Sequence, residues 1–248
     1  MPEGVQPHGH DLVHGARLRV HLEHGLQPLG QAHPLQLQRQ VLAVGLHRLQ
    51  RGLLPTPAQR RHHVRPLKVA LDELGLEYEQ VDVGGPFGGN DEADYLAKNP
   101  MGLVPTLLED DLVLWESNTV TRYLCSKYAM GVLCSEDLGV RAEAEKWMDW
   151  KLTTINPVMV TIFQGLVRIP PAERDNAAIA AAIQKSFDVW GVLDRHLAEQ
   201  PYVSGDRFSM GDIPLGPQLH RWLKLVDSRP AFPNLEAWYQ RLTERPAF

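Results

Sequence analysis

Pro105 stands between Gly102-Leu103-Val104 and the apolar run Thr106-Leu107-Leu108, and this position constrains the fold more than any other feature. A proline cannot donate to a sheet ladder, so the strand that follows must begin at this residue. An X-Pro bond prefers trans by only about 0.5–1 kcal/mol, so the Val104–Pro105 bond is a candidate cis peptide. The N–H and C=O of Val104 would then turn away from sheet pairing and need other partners, because unpaired buried backbone is rare. An extended peptide ligand can supply both bonds. About a dozen residues on, Trp115-Glu116-Ser117 places an acid and a hydroxyl at the expected start of a helix. The Ser117 hydroxyl and the free N–H groups beside it suit a carboxylate, and Glu116 suits an ammonium. Each piece alone also reads as an ordinary edge strand or helix cap. Together they describe a grip for a small peptide with an amino-acid end.

The flanking pattern is coherent. Val64, Leu67, Leu71 and Leu74 recur at helical spacing, with Gly75 as a stop. Tyr78 to Val83 alternates as a strand. Thr106–Leu108 and Leu112–Trp115 read as a hairpin around Glu109-Asp110-Asp111, and residues 117–128 read as a helix with Val120, Tyr123 and Leu124 inward. Gly84 to Asn90 lacks phosphate-loop spacing and reads as a bend. Ala129 to Asp137 is a linker, and everything from Gly139 onward reads as helix. Pro157 is expected to kink its helix, and Ala177 to Gln200 forms another long one. Trp147 and Trp150 read as core rather than as the lining of a cleft. Ser209-x-x-Asp212, flanked by Phe208 and Ile213, has the form of a capping box with a hydrophobic staple.

Residues 64–128 resemble the glutathione-binding half of a soluble glutathione S-transferase of bacterial type. The resemblance rests on the text from Val64 to Glu79, on Asn99-Pro100-Met101-Gly102-Leu103-Val104-Pro105 and on Glu116-Ser117. Residues 139–247, with Phe208-Ser209-Met210-Gly211-Asp212-Ile213, resemble the family's helical second domain. The resemblance implies an α/β thioredoxin-like domain followed by an all-α domain, usually in a homodimer. It also implies glutathione as co-substrate, with its thiolate attacking a small hydrophobic electrophile. By analogy the cysteinyl backbone would lie on Val104, with Pro105 cis, and the γ-glutamyl end on Glu116 and Ser117.

Composition breaks near His63. Residues 1–63 contain no Lys, Ile, Phe, Tyr, Trp, Cys, Ser or Asn, yet hold 9 of the 11 His. Their formal charge of +4 leaves −9 on the remainder of a chain at −5. Residues 1–60 therefore read as an anomalous segment that packs poorly, either GC-rich DNA translated out of frame or from a misplaced start, or a His/Gln-rich extension. A metal-binding tract fits poorly, because the histidines are irregularly spaced. The family's first strand and catalytic loop should precede Val64. Pro55 and Pro57 are incompatible with a central strand there, so that strand is expected to be missing or replaced. The position of the family's catalytic Ser, Tyr or Cys is held by Arg61, and no such residue occurs before Tyr78. Arg61 and His62 are then the available catalytic cations. The domain reading is 1–60 anomalous, 61–128 thioredoxin-like, 129–138 linker and 139–248 all-α. A non-catalytic glutathione-binding or assembly protein, or an inactive gene product, are the alternatives.

The charge gives no indication of nucleic-acid binding. No run of about 18 apolar residues suggests a membrane span, and the N-terminus lacks the layout of a secretory signal. Cys125 and Cys134 are too few and too far apart for a disulfide framework or redox pair. Cys125 falls among apolar helix neighbours and reads as a buried, inert thiol. No metal site is expected. These features together read as a cytoplasmic protein.

Overall fold

A computed structural model describes residues 18–22 and 65–248. A four-stranded sheet in the order β2-β1-β3-β4 forms the first half. Its strands are β1 (Leu18–Leu22), β2 (Glu79–Asp82), β3 (Thr106–Glu109) and β4 (Leu112–Trp115). β1 runs parallel to β2 and antiparallel to β3, which pairs antiparallel with β4. This is the thioredoxin-like arrangement that the resemblance implies.

The first strand is present, but it comes from far upstream. Leu18, Val20 and Leu22 alternate onto the buried face, while Arg19 points outward and pairs with Glu79, its neighbour across the ladder, at 2.9 Å. The expectation that residues 1–60 pack poorly therefore fails for Leu18–Leu22. A Leu-x-Val-x-Leu alternation packs as a central strand without any aromatic residue. The proline-rich stretch 53–63 lies outside the described residues.

Helix α1 (Arg65–Glu73) covers the sheet with Leu67 and Leu71, and turns Val69 and Ala70 into the core of the helical half. It ends in a Schellman motif: Leu76 N–H bonds Leu71 C=O, Gly75 N–H bonds Asp72 C=O, and Gly75 takes φ +60°. After the short α2 (Ala93–Leu96), β3 and β4 turn at Asp110-Asp111. Helix α3 (Ser117–Tyr128) follows, burying Val120, Leu124 and Cys125. Burial pushes the Cys125 thiol up to about 12, which keeps it protonated and inert. Tyr123 lies at the edge of this core, donating its hydroxyl to Glu109 at 2.5 Å.

The second half is all-α, with α4 (Leu138–Trp150), α5 (Asn156–Phe163), α6 (Asn176–His196), α7 (Asp212–Leu225) and α8 (Pro233–Thr243). Asp137 caps α4 by accepting from Gly139 and Val140 N–H. Pro157 has no N–H to give to the ladder, and the chain absorbs this in a π-helical turn, Lys151–Ile155, just before it. A second π turn, Gln164–Arg168, ends α5. The expected capping box forms in part, with Asp212 reaching back to Ser209 while the Asp212 N–H bonds the Ser209 carbonyl instead of its hydroxyl. Asp212 Oδ2 accepts from Ser209 N–H at 2.9 Å, Ser209 Oγ accepts from Gly211 N–H at 3.2 Å, and Phe208 and Ile213 are buried beside it. Trp147 packs edge-on against Trp150 within the helical core, as read from the sequence. The two halves are joined by a bidentate pair in which Arg245 donates to Glu73 at 2.7 and 2.6 Å.

Candidate functional site

A cleft of about 450 Å³ runs between the halves. Its floor comes from the loop before β3. Tyr95 donates its hydroxyl to Leu103 C=O at 2.6 Å, Asn99 donates to the same carbonyl at 2.7 Å, and Asn90 donates to Gly102 C=O at 2.7 Å. Three side chains thus fix the residues leading into Val104. The Val104–Pro105 bond is cis. The N–H and C=O of Val104 find no partner among the described residues, although the carbonyl just before them is doubly bonded. A free donor and acceptor on one extended residue can pair with a peptide strand.

Glu116 and Ser117 line the same cleft. Glu116 holds φ +70° and ψ 111°, a region seldom adopted by residues with a side chain, and Ser117 opens α3 directly after it. The Ser117 hydroxyl donates no hydrogen bond among the described residues, and the first-turn N–H groups beside it are those a helix leaves open. The structure therefore brings Val104, Pro105, Glu116 and Ser117 to one wall. Arg61 and His62 lie outside the described residues.

The opposite wall contains two cations that sequence reasoning missed. Lys151, on the first π turn, is only 8 % exposed, and burial drives its ammonium down to about 8, with Glu116 opposing the shift. Arg221, on α7, is likewise 8 % exposed, and burial alone lowers it to about 10. Its guanidinium lies over the Phe163 ring at 4.9 Å, and its Nε has no hydrogen-bond partner. A signal was available in both cases. Lys151 follows Trp147 and Met148 on a buried helical face, and Arg221 sits between Leu219 and Trp222. A charged residue within such an apolar stripe asks for a reason.

The comparisons with known proteins agree with this architecture. The family model described as "Glutathione S-transferase, N-terminal domain" matches residues 60–126, beginning downstream of β1, and "Glutathione S-transferase, C-terminal domain" matches 176–241. Glutathione S-transferase GstB of Escherichia coli (strain K12) is 46 % identical over 187 residues, covering 68 % of this chain and 90 % of the relative. Glutathione S-transferase 3 of Zea mays is 33 % identical over 184 residues, covering 65 % and 83 %. Among solved structures, a theta class glutathione S-transferase from Xanthomonas axonopodis pv. citri with glutathione bound superposes with a TM-score of 0.72. It is 46 % identical, covering 76 % of this chain and 91 % of that one. The two domain matches fall in the order the fold requires, and the chain spans nine-tenths of a relative to which it is 46 % identical; it belongs to the glutathione S-transferase family.

Proposed function

We propose that the cleft binds glutathione and presents its thiolate to a small electrophile. The observation that carries this reading is the free main chain of Val104 on the wall that also holds Glu116 and Ser117. The cysteinyl backbone pairs with the N–H and C=O of Val104 in the manner of an added strand. The γ-glutamyl ammonium meets the Glu116 carboxylate. Its α-carboxylate meets the Ser117 hydroxyl and the amino end of α3, where the helix dipole favours negative charge. Lys151, electrostatically coupled to Glu116, completes the charge balance at that end.

A free thiol near pKa 8.5 is only about 3 % ionised at pH 7, so rapid conjugation needs a group that stabilises the thiolate. Arg61 and His62, written just before α1, are the proposed cations for that role. The thiolate then attacks the electrophile, which rests on the apolar residues Leu152, Met159 and Phe163 of the helical half. The enzyme reading is of a cytoplasmic homodimer. The absence of Ser, Tyr and Cys before Tyr78 favours one alternative, a protein that binds glutathione without conjugating it.

Calorimetry of the purified full chain with glutathione tests the site. Ser117→Ala should weaken binding by about 1.5–3 kcal/mol, the value of a hydrogen bond to a charged group. Unchanged affinity removes Ser117 from the site. Turnover of 1-chloro-2,4-dinitrobenzene by the same sample separates the enzyme from the binding protein.

A further inference from the structure

The side of the cleft away from Glu116 carries more positive charge than the fold requires. Arg221 and Arg168 approach the same ring, with guanidinium carbons 4.9 and 5.5 Å from the centre of Phe163. Neither has an ion-pair or hydrogen-bond partner among the described residues. Among the described residues, the cleft is lined by three cations, Lys151, Arg168 and Arg221, and one acid, Glu116. Lys151 is the cation that senses Glu116, whereas burial alone acts on Arg221. Burying a guanidinium without a counter-ion is costly, and a leucine or methionine would fill that place in α7 without the cost. The segments that carry the two guanidiniums line the cleft mainly with apolar side chains, Met159, Val160, Phe163, Pro214 and Pro217, together with the neutral amides of Gln164 and Gln218.

A planar fork of N–H donors beside an aromatic ring and an apolar wall matches one chemical group well, a carboxylate borne on a flat apolar body. We propose that Arg221, assisted by Arg168 at the rim, binds the carboxylate of an anionic electrophile, so that this protein prefers carboxylated aromatic substrates to neutral ones. The proposal rests on the glutathione reading for the identity of the nucleophile. In the conjugation of a 4-chloro-3-nitrobenzoate, the thiolate sulfur forms a bond to the ring carbon bearing chlorine. The C–Cl bond then breaks and chloride leaves with the bonding pair, while the thiol proton has already gone to solvent. The ring carboxylate takes no part and serves only to hold the substrate.

The test uses unreactive probes, so that binding is read apart from thiolate chemistry. Affinities of 3-nitrobenzoate and its neutral twin 3-nitrobenzamide are measured on the full chain, with and without saturating S-methylglutathione. At pH 7 and low salt, the carboxylate should bind at least about tenfold more tightly, which corresponds to about 1.4 kcal/mol. Arg221→Gln should bring the two probes within about threefold, and Arg221→Lys should restore part of the preference. Equal affinity of the two probes for the unmodified protein overturns the proposal, whatever the folding of the variants. A preference that survives unchanged in a folded Arg221→Gln protein also overturns it. If S-methylglutathione fails to bind while the carboxylate preference stands, the glutathione reading falls and the anion subsite remains. If S-methylglutathione binds and the preference is missing, the reverse holds.

Discussion

The imidazole of His21 lies stacked on the ring of Tyr95, with centroids 5.5 Å apart and planes 28° from parallel. One ring comes from the upstream strand and the other from the residue whose hydroxyl holds Leu103 and contacts Thr106 Oγ1 at 2.8 Å. The strand and the loop that shapes the cleft are therefore one packed unit. Burial, followed by Lys98 and Arg19, lowers the pKa of His21, and its Nδ1 has no partner among the described residues. The unfolded chain takes up this proton more readily than the folded one. Stability should be fully present above pH 6.5 and be lost as pH falls below it. Urea midpoints at pH 7 and pH 5.5 should differ for the unmodified protein, and His21→Val should shrink that difference.

Leu22 is 1 % exposed in the central strand. Leu22→Ala should destabilise by about 2–5 kcal/mol, a large part of the stability of an ordinary domain. Chemical denaturation checks this. A loss under 1 kcal/mol would show that Leu18–Leu22 does not complete the sheet in solution.

Lys151 is held down near pKa 8 by burial. Its folded value lies below the unfolded one, so its charged form opposes folding, and stability from this group rises as pH climbs from about 8 to 10.5. At pH 7, Lys151→Met should therefore raise stability, by up to about 3 kcal/mol. It should also weaken binding of S-methylglutathione. Thermal melts and calorimetry on one sample read both effects. A variant that is less stable and binds as before would refute the assignment.

Asp212 is fully buried and accepts four hydrogen bonds, from Val203 N–H, Ser209 N–H, Ser209 Oγ and Trp238 Nε1. Burial outweighs these donors and raises its carboxyl to about 6. Asp212→Ala would leave several buried donors unpaired at about 1–3 kcal/mol each. The helical domain should lose at least about 3 kcal/mol, with little change in glutathione affinity per folded molecule. Circular dichroism melts and binding by the folded fraction check the two halves of this statement.

Much of the molecule could be read from local pattern. The β3–β4 hairpin, the Gly75 stop, the Ser209–Asp212 cap and the wall carrying Val104, Glu116 and Ser117 are all set by turn and capping chemistry within a few residues. Leu18–Leu22 was not legible. A five-residue alternation in a stretch without aromatic residues is a weak signal, and it becomes a central strand only through partners near residues 80 and 107. Lys151 and Arg221 were missed for a related reason. Each becomes part of a site only when the helical half folds against the loop before β3, and no short-range pattern shows that approach.

The position of β1 also governs the order in which the protein can assemble. β2 and β3 have no ladder between them, so the sheet stays in two pieces until Leu18–Leu22 enters between them. Residues 23–64, 42 positions, separate that strand from α1, and closing so long a chain segment must precede any reward from pairing. The helical half can collapse on local contacts, whereas the glutathione half must wait for its farthest segment. Refolding should therefore show two phases. Tryptophan fluorescence would report chiefly the faster one, because five of the six tryptophans, all but Trp115 of β4, lie in the helical half, and recovery of the cleft would follow more slowly.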